Sequence, residues 1–426
     1  MKNQKYLFWL FLVMGILPNV LMFFTESTGL LTHIVQILLP FAVYWFCFTL
    51  KPKPGKMYLW LFLIMFINAF QIVLLYLFGE SPIAVDMFLN VVTTNVSETS
   101  ELLSNLLPAV GFVVVVYIGG LILSIVSIKC KEELSIAFRG FQRRLASVLL
   151  VISSLLLVVN CFADKKFKIQ NDIFPINGCY NLGLSITRFC KGINYLETAS
   201  KFKYNATTEH PDSLPEVYIL VMGETVRACN MGIYGYERNT TPNLSKMGDQ
   251  ITVFRDAITM SNTTHKSVPM MLTAVASEEF DSLYTQRGIF TAFNEAGFKT
   301  CFYSNQGRNH SFIDNLGSEA QDVIFAMDNV KIGENVNDNI LLELLDKRIK
   351  QYKNEKLFII LHCYGSHFNY ADRYPEKDKV FTPDDVPSAN KKYRPSIVNA
   401  YDNTIAYIDR FLATVTHKLD SINVPA

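Results

Sequence analysis

Apolar positions along the chain fall into two regimes. Up to Ala163 they form long unbroken runs; from residue 164 onward they come in short bursts between polar stretches. Five of the long runs, Leu7–Phe24, Gly29–Leu50, Met57–Phe78, Leu107–Ile128 and Leu145–Ala163, contain no Asp, Glu, Lys or Arg. Each is long enough to cross a hydrocarbon core of ~30 Å as a helix of about 20 residues. The first run lacks a small-residue cleavage site and a second run follows at once, so it reads as a retained anchor and not a signal peptide. Residues 1–163 are therefore expected to be a five-helix transmembrane domain.

Loop charges orient these spans. Lys2, Lys5, Lys51, Lys53, Lys56, Lys129, Lys131, Arg139, Arg143 and Arg144 lie on one side, and the opposite loops hold Glu26, Glu80, Asp86, Glu98 and Glu101 without a basic residue. Basic loops stay in the cytoplasm. The N-terminus is thus expected inside, and five crossings carry residues 164–426 to the outer side. Ile83–Val92 fits either a short interfacial helix or a plain connector. Residues 164–213 read as a linker and interfacial segment, with Phe167–Tyr195 along the membrane surface.

From residue 214 the spacing predicts alternating strands and helices. Strands are expected at Val217–Met222, Ile251–Phe254, Thr300–Tyr303, Val323–Ala326 and Leu357–His362. Helices are expected at Ser267–Ala276, Gly288–Ala296, Asp338–Tyr352 and Ser396–Leu419. That alternation predicts an α/β sandwich with a mostly parallel sheet, whose site lies beyond the carboxyl ends of its strands.

Three chemistry-bearing stretches follow predicted strands or open a helix. Val217–Met222 runs into Gly223-Glu224-Thr225, where the carboxylate fits either a crevice acid or a helix-capping acid. Thr264 and Ser267 stand in Thr264-His265-Lys266-Ser267-Val268-Pro269. Ser267 reads as a helix cap, and a hydroxyl at Thr264, one turn earlier, faces a helix start that favours an anion. His362 and His367 close the last strand, and fit either a site or ordinary packing.

Composition removes other classes. The 426 residues are 50% hydrophobic, with 32 Phe, 20 Tyr and a formal net charge of +1. No basic field or nucleic-acid motif is present, so nucleic-acid binding is excluded. The 8 Cys show no CxxC spacing. Cys179 and Cys190 lie close together in a loop-like stretch, either as a pair or as two free thiols.

Read together, these stretches resemble one family. Gly223-Glu224-Thr225-Val226-Arg227 looks like its GETxR signature, and Tyr234-Gly235-Tyr236 through Asn239-Thr240-Thr241-Pro242 like its G-Y-x-R-x-T-T-P segment. Thr264 to Pro269 looks like its T-x-x-S-V-P nucleophile motif, Gly365-Ser366-His367 with Arg373-Tyr374-Pro375 like its G-S-H…RYP segment, and Tyr401-Asp402-Asn403-Thr404 like its YDNT helix. This is the phosphoethanolamine transferase family of lipid A modifying and colistin-resistance enzymes, in the alkaline phosphatase and sulfatase superfamily. The resemblance implies transfer of phosphoethanolamine from phosphatidylethanolamine to lipid A or another surface glycan, at the periplasmic face of a bacterial inner membrane. It implies Thr264 as nucleophile, Glu224 and Thr264 as Zn2+ ligands, and His367, Asn305 and His310 as substrate-binding residues.

Two departures accompany the resemblance. Met260 and Met270 stand where the family has a disulfide bracketing its nucleophile. The family's remaining zinc ligands, an Asp-His pair in S-D-H-G-E and a further His, have no counterpart, and no Asp-His dipeptide occurs in the sequence. The expectation is a C-terminally truncated sulfatase-like domain that binds zinc poorly and turns over little. The alternatives are a non-catalytic membrane-anchored fragment and a related superfamily phosphotransferase. A sulfatase C/S-x-P-S/A-R motif is absent.

Overall fold

The computed structural model describes residues 3–26, 28–79, 82–93, 106–210, 214–309, 311–330, 336–351, 355–387, 391–420 and 422. The chain divides into two compact units. One holds the apolar helices and runs to Arg188, and the other takes the chain from Phe189 onward.

Five helices of the first unit are long and apolar enough to cross a membrane: α1 (Gln4–Thr25), α2 (Leu30–Phe48), α3 (Pro54–Phe78), α4 (Leu106–Lys129) and α5 (Ile136–Ala163). They match the five runs read from the sequence. α5 starts nine residues before its run, because Ser135 caps it by accepting from the Phe138 amide at 3.2 Å. Large aromatics fill the bundle: Phe8, Phe11, Phe48, Tyr58 and Tyr117 are completely buried. Small residues let the helices close on one another. At Gly55 a Cβ would lie 2.4 Å from the Ser124 carbonyl, and at Gly120 one would lie 2.3 Å from the Tyr58 hydroxyl. The outer surface of α5 is apolar, with Val148, Val151, Leu155 and Val159 all more than half exposed, as a lipid-facing surface requires.

Val85–Thr93 is helical, overlapping the stretch Ile83–Val92 for which a short interfacial helix or a plain connector was expected. A further helix, α6, spans Ile176–Ile193. It carries both Cys179 and Cys190, which are free. Eleven residues of helix separate them by roughly 16 Å at 1.5 Å per residue, well beyond disulfide reach. The option of a pair is therefore removed, because the stretch is helical and not a loop.

The second unit is built on a four-stranded sheet in the order β1-β4-β2-β3, all parallel, with β1 Glu216–Met222, β2 Lys299–Ser304, β3 Asp322–Phe325 and β4 Lys356–His362. Every residue of β4 is buried, as a central parallel strand should be. Its side chains alternate between two cores. Phe358 and Ile360 pack with Phe290, Phe302, Val268 and Leu272. Leu357, Ile359 and Leu361 pack with Leu341, Leu345, Phe411 and Val415. Helices α7 (Thr264–Met271) and α8 (Ile289–Glu295) thus supply one face, and α9 (Asn339–Lys350) and α10 (Arg394–Asp420) the other.

Two sequence expectations are corrected here. Ile251–Phe254 is not a strand: a four-residue apolar run needs an edge to pair with, and Phe254 instead stands 71% exposed. The helix expected at Ser267–Ala276 begins earlier, at Thr264, and stops at Met271. Thr263 has extended backbone and its carbonyl accepts from Ser267 N at 2.9 Å, so Thr263 is the cap and Ser267 sits inside the first turn.

Residues just before the sheet are fastened to it. Tyr195 is completely buried, and its ring meets Phe312 at 4.7 Å. Its hydroxyl donates to Glu319, which also accepts from Gly288 N at 2.9 Å and Thr291 Oγ1 at 2.7 Å. Arg287 Nε donates to the Ala199 carbonyl at 3.1 Å, and Glu295 accepts from the amides of Tyr204 and Ala206.

Candidate functional site

The parallel strands end at one edge, and the chain leaving β1 and β4 converges there. β1 releases Gly223-Glu224-Thr225 and β4 releases Cys363 to His367. Thr225 has a φ of +56°, a left-handed conformation uncommon without glycine. The turn is held by α10: the Tyr401 hydroxyl donates to the Thr225 carbonyl at 2.7 Å and accepts from Arg227 N at 2.9 Å. From the other side, Ser366 N donates to the Glu224 carbonyl at 2.9 Å. Gly365, at φ +59°, lies so close that a Cβ would be 2.7 Å from both Glu224 N and Glu224 O. Only glycine fits there.

These constraints bring Glu224 to Thr264. Thr264 Oγ1 lies 3.2 Å from Glu224 Oε1 and 3.1 Å from Oε2, with the hydroxyl donating across the carboxylate. Thr225 Oγ1 donates to Glu224 Oε1 at 2.8 Å. Both Glu224 and Thr264 are half-buried, and Thr264 is the first residue of α7. The two residues singled out from separate motifs, 40 positions apart, therefore meet.

The other candidates take different places. His367 is half-buried; its Nδ1 lies 2.8 Å from the Phe368 carbonyl and its ring meets Tyr364 edge-on at 5.3 Å. Arg373 Nε donates to the His367 carbonyl at 3.1 Å and stacks over Tyr364. Among the described residues no hydrogen bond joins His367 to Glu224 or Thr264, although Ser366, its neighbour, touches Glu224. Asn305 is turned into the interior. It is completely buried, and its amide nitrogen donates to Asp338 at 2.9 Å and to the Val336 carbonyl at 3.0 Å. Position 305 follows β2 directly, and its own backbone N donates to the His362 carbonyl at 2.8 Å, which turns the side chain inward. His310 lies outside the described residues.

His362 is packed away too. It is 2% exposed, bonds Ser304 Oγ through Nδ1 at 3.1 Å and stacks on Phe302. Burial holds its pKa down to about 4, so the ring is neutral at pH 7.

Sequence reasoning missed the supports. Asp338 is 2% exposed and accepts from Asn305, from Tyr364 N at 2.7 Å and from Gly365 N at 3.0 Å. Burial raises its pKa, and those three donors act against that shift. Asp402, completely buried, accepts from Asn230 at 3.0 Å, the Tyr236 hydroxyl at 2.9 Å and Arg238 at 2.9 Å. Asp409 accepts from the Asn243 and Leu244 amides at 2.9 Å each. Asp338 had a signal, an acid just ahead of an apolar helical pattern. The partners of Asp402 and Asp409 lie more than 160 positions away and left none.

The donors at Glu224 and Thr264, a carboxylate and a hydroxyl, suit a divalent cation in kind. A protein zinc site takes three or four ligands, and among the described residues no group of three or more His, Cys, Asp or Glu is placed to hold a metal ion. The described residues therefore do not complete a zinc site.

Comparison with known proteins gives the same region a context. The sulfatase family model matches residues 216–424. The Kdo(2)-lipid A phosphoethanolamine 7''-transferase of Escherichia coli strain K12 is 28% identical over 258 residues, which is 58% of this chain and 44% of that relative. The phosphatidylethanolamine transferase Mcr-1 of Escherichia coli is 27% identical over 347 residues, 77% of this chain and 63% of that relative. The alignments thus span about half to three-fifths of these relatives' length. The integral membrane lipooligosaccharide phosphoethanolamine transferase A of Neisseria meningitidis has a similar structure, with a TM-score of 0.75 and 23% identity over 98% of this chain and 80% of that one. That likeness gives the fold: a helical membrane unit joined to a sulfatase-type α/β unit.

Proposed function

We propose that this chain, whose residues 216–424 are a sulfatase-family domain, transfers phosphoethanolamine from phosphatidylethanolamine to lipid A or another surface glycan through a phosphothreonine at Thr264. The observation that carries the reading is the Thr264 hydroxyl lying across both oxygens of Glu224 at 3.1 and 3.2 Å. The relatives named as phosphoethanolamine transferases support the substrate class. The basic loops on one side of the bundle support an inner-membrane protein with its N-terminus in the cytoplasm and its sheet unit in the periplasm.

In the first step Thr264 Oγ1 forms a bond to the donor phosphorus, and Glu224 takes the hydroxyl proton. The bond from phosphorus to the diacylglycerol oxygen breaks, and that oxygen leaves with the proton that Glu224 took up. In the second step an acceptor hydroxyl attacks the phosphorus and gives its proton to Glu224, the bond to Oγ1 breaks, and Glu224 returns that proton to Thr264. Thr264 opens α7, where the backbone amides and helix dipole favour the phosphate it would carry. His367, two residues from the Gly365 contact with Glu224, would face the substrate. Asn305 acts through Asp338 and the Tyr364–Gly365 amides instead of touching substrate. Zn2+ is the metal this family reading calls for, with Glu224 and Thr264 as two of its ligands.

Intact-mass measurement of the full chain incubated with phosphatidylethanolamine tests the reading. A phosphoethanolamine adduct is expected on Thr264 and is expected to vanish in Thr264→Ala. An adduct that persists in that variant would sink the assigned nucleophile. The non-catalytic alternative is favoured by the lack of a third metal-binding side chain among the described residues. Zinc content by atomic absorption separates the two: one tightly held zinc per chain removes that alternative.

A further inference from the structure

Where this chain needs a positive φ it places glycine or asparagine, with one departure. Gly79, Gly235, Gly248, Gly297 and Gly365 have a positive φ, as does Asn205, a residue type that tolerates left-handed backbone. Thr225, at φ +56°, is the one β-branched residue with a positive φ among the described residues. Its branched Cβ crowds the backbone there, a strain that glycine would not carry. Backbone strain of this kind persists where neighbouring structure imposes it, and it gathers at reactive sites.

The turn by itself does not call for a threonine. The Tyr401 hydroxyl fixes it through the Thr225 carbonyl at 2.7 Å and Arg227 N at 2.9 Å, both main-chain groups that a glycine at 225 would keep. What the side chain alone adds is Oγ1, which donates to Glu224 Oε1 at 2.8 Å. A glutamate carboxylate otherwise rotates over a broad range about its last torsion. A hydroxyl carried on a fixed, strained backbone removes that freedom. It occupies Oε1 and leaves Oε2, 3.1 Å from Thr264 Oγ1, to take the Thr264 proton.

We propose that Thr225 is a positioning residue that aims the Glu224 carboxylate at Thr264. The proposal rests on the phosphothreonine reading given above and deepens it. As Thr264 Oγ1 bonds to phosphorus its proton passes to Glu224 Oε2, and Thr225 keeps its own proton throughout. Thr225 thus acts through Glu224 and not on the substrate.

Three substitutions in the full chain separate the hydroxyl from the strain. Thr225→Gly removes both, Thr225→Val keeps the branched shape without the hydroxyl, and Thr225→Ser keeps the hydroxyl. Thr225→Gly is expected to melt no lower than the unmodified chain, because relief of the positive φ offsets the lost hydrogen bond. It is nonetheless expected to form the Thr264 adduct from phosphatidylethanolamine about tenfold more slowly, the effect of losing one hydrogen bond to a charged group. Thr225→Ser is expected to recover most of that rate and Thr225→Val none of it; if the valine variant does not fold, glycine and serine decide. A crystal structure of Thr225→Gly is expected to show the Glu224 carboxylate turned off Thr264 Oγ1. An unchanged adduct rate in Thr225→Gly, a rate that falls only in step with a lowered melting temperature, or an unchanged Glu224–Thr264 contact in that crystal structure overturns the proposal. An unmodified chain that forms no Thr264 adduct is a different failure: it removes the phosphothreonine reading, and the crystallographic contact still decides whether Thr225 aims Glu224.

Discussion

The two units bury different mixtures of polar groups. In the sheet unit three buried carboxylates, Asp338, Asp402 and Asp409, accept at least three hydrogen bonds apiece. In the bundle the buried polar groups are mostly neutral amides and hydroxyls, and the side-chain oxygens of Asn19, Asn68 and Asn177 have no hydrogen-bond partner. The solvent explains the contrast. A carboxylate buried in a water-facing domain is stabilised when N–H donors surround it, whereas a charge in a hydrocarbon slab is far costlier than an amide. Saturated carboxylates immobilise the loops they hold, which is what the Glu224 turn needs.

The contrast can be broken at five points, taken from the largest effect down. Gly365→Ala drives a methyl into the Glu224 backbone at a positive φ, and it is expected to cost about 3 kcal/mol or more. Thermal unfolding should fall together with formation of the Thr264 adduct; a variant with normal melting and a normal adduct would mean the close approach does not position Glu224. Asp402→Ala removes the acceptor for Asn230, Tyr236 and Arg238, and a loss of about 3 kcal/mol is expected in denaturant unfolding. A change under 1 kcal/mol would show that this carboxylate is not the anchor.

His362 gives a pH signature. Its pKa is about 4 in the fold and near 6.5 unfolded, so between those values the unfolded chain binds the extra proton and stability falls as pH drops. From pH 7 to pH 5 the loss is about 2 kcal/mol at 1.36 kcal/mol per unit. That slope should disappear in His362→Gln. Tyr401→Phe removes one hydroxyl from the Thr225–Arg227 turn, for about 1 kcal/mol and a slower adduct. In the bundle, Thr32→Val breaks the pair with Asn160 at 3.1 Å and should cost only about 0.6 kcal/mol, the average for a hydrogen bond inside a membrane protein. A cost as large as that of Asp402→Ala would erase the distinction between the units.

Much of this architecture was legible in the sequence where a single physical demand dominates. Five spans could be read because hydrocarbon tolerates nothing else over about 20 residues. β4 could be read because a fully buried parallel strand is apolar without interruption, and β1, β2 and β3 because each is a short apolar run bounded by polar residues. Ile251–Phe254 met the same apolar criterion and failed, since pairing depends on an edge that the local sequence does not encode. The meeting of Glu224 with Thr264 was anticipated from motif order. The inward turn of Asn305 was not, because it follows from a backbone hydrogen bond to β4 and a partner at Asp338. Long-range partners such as Tyr401 for Thr225 leave no trace in spacing.

The fastening of Tyr195 has a practical outcome for anyone cutting the protein in two. A soluble fragment begun at β1 would strip the cover from Phe312 and Tyr284 and leave Glu319 without its phenolic donor. It would present a sticky aromatic trough to solvent. A fragment begun at Phe189 keeps that strap in place, and should be the better behaved reagent for crystallisation or antibody work.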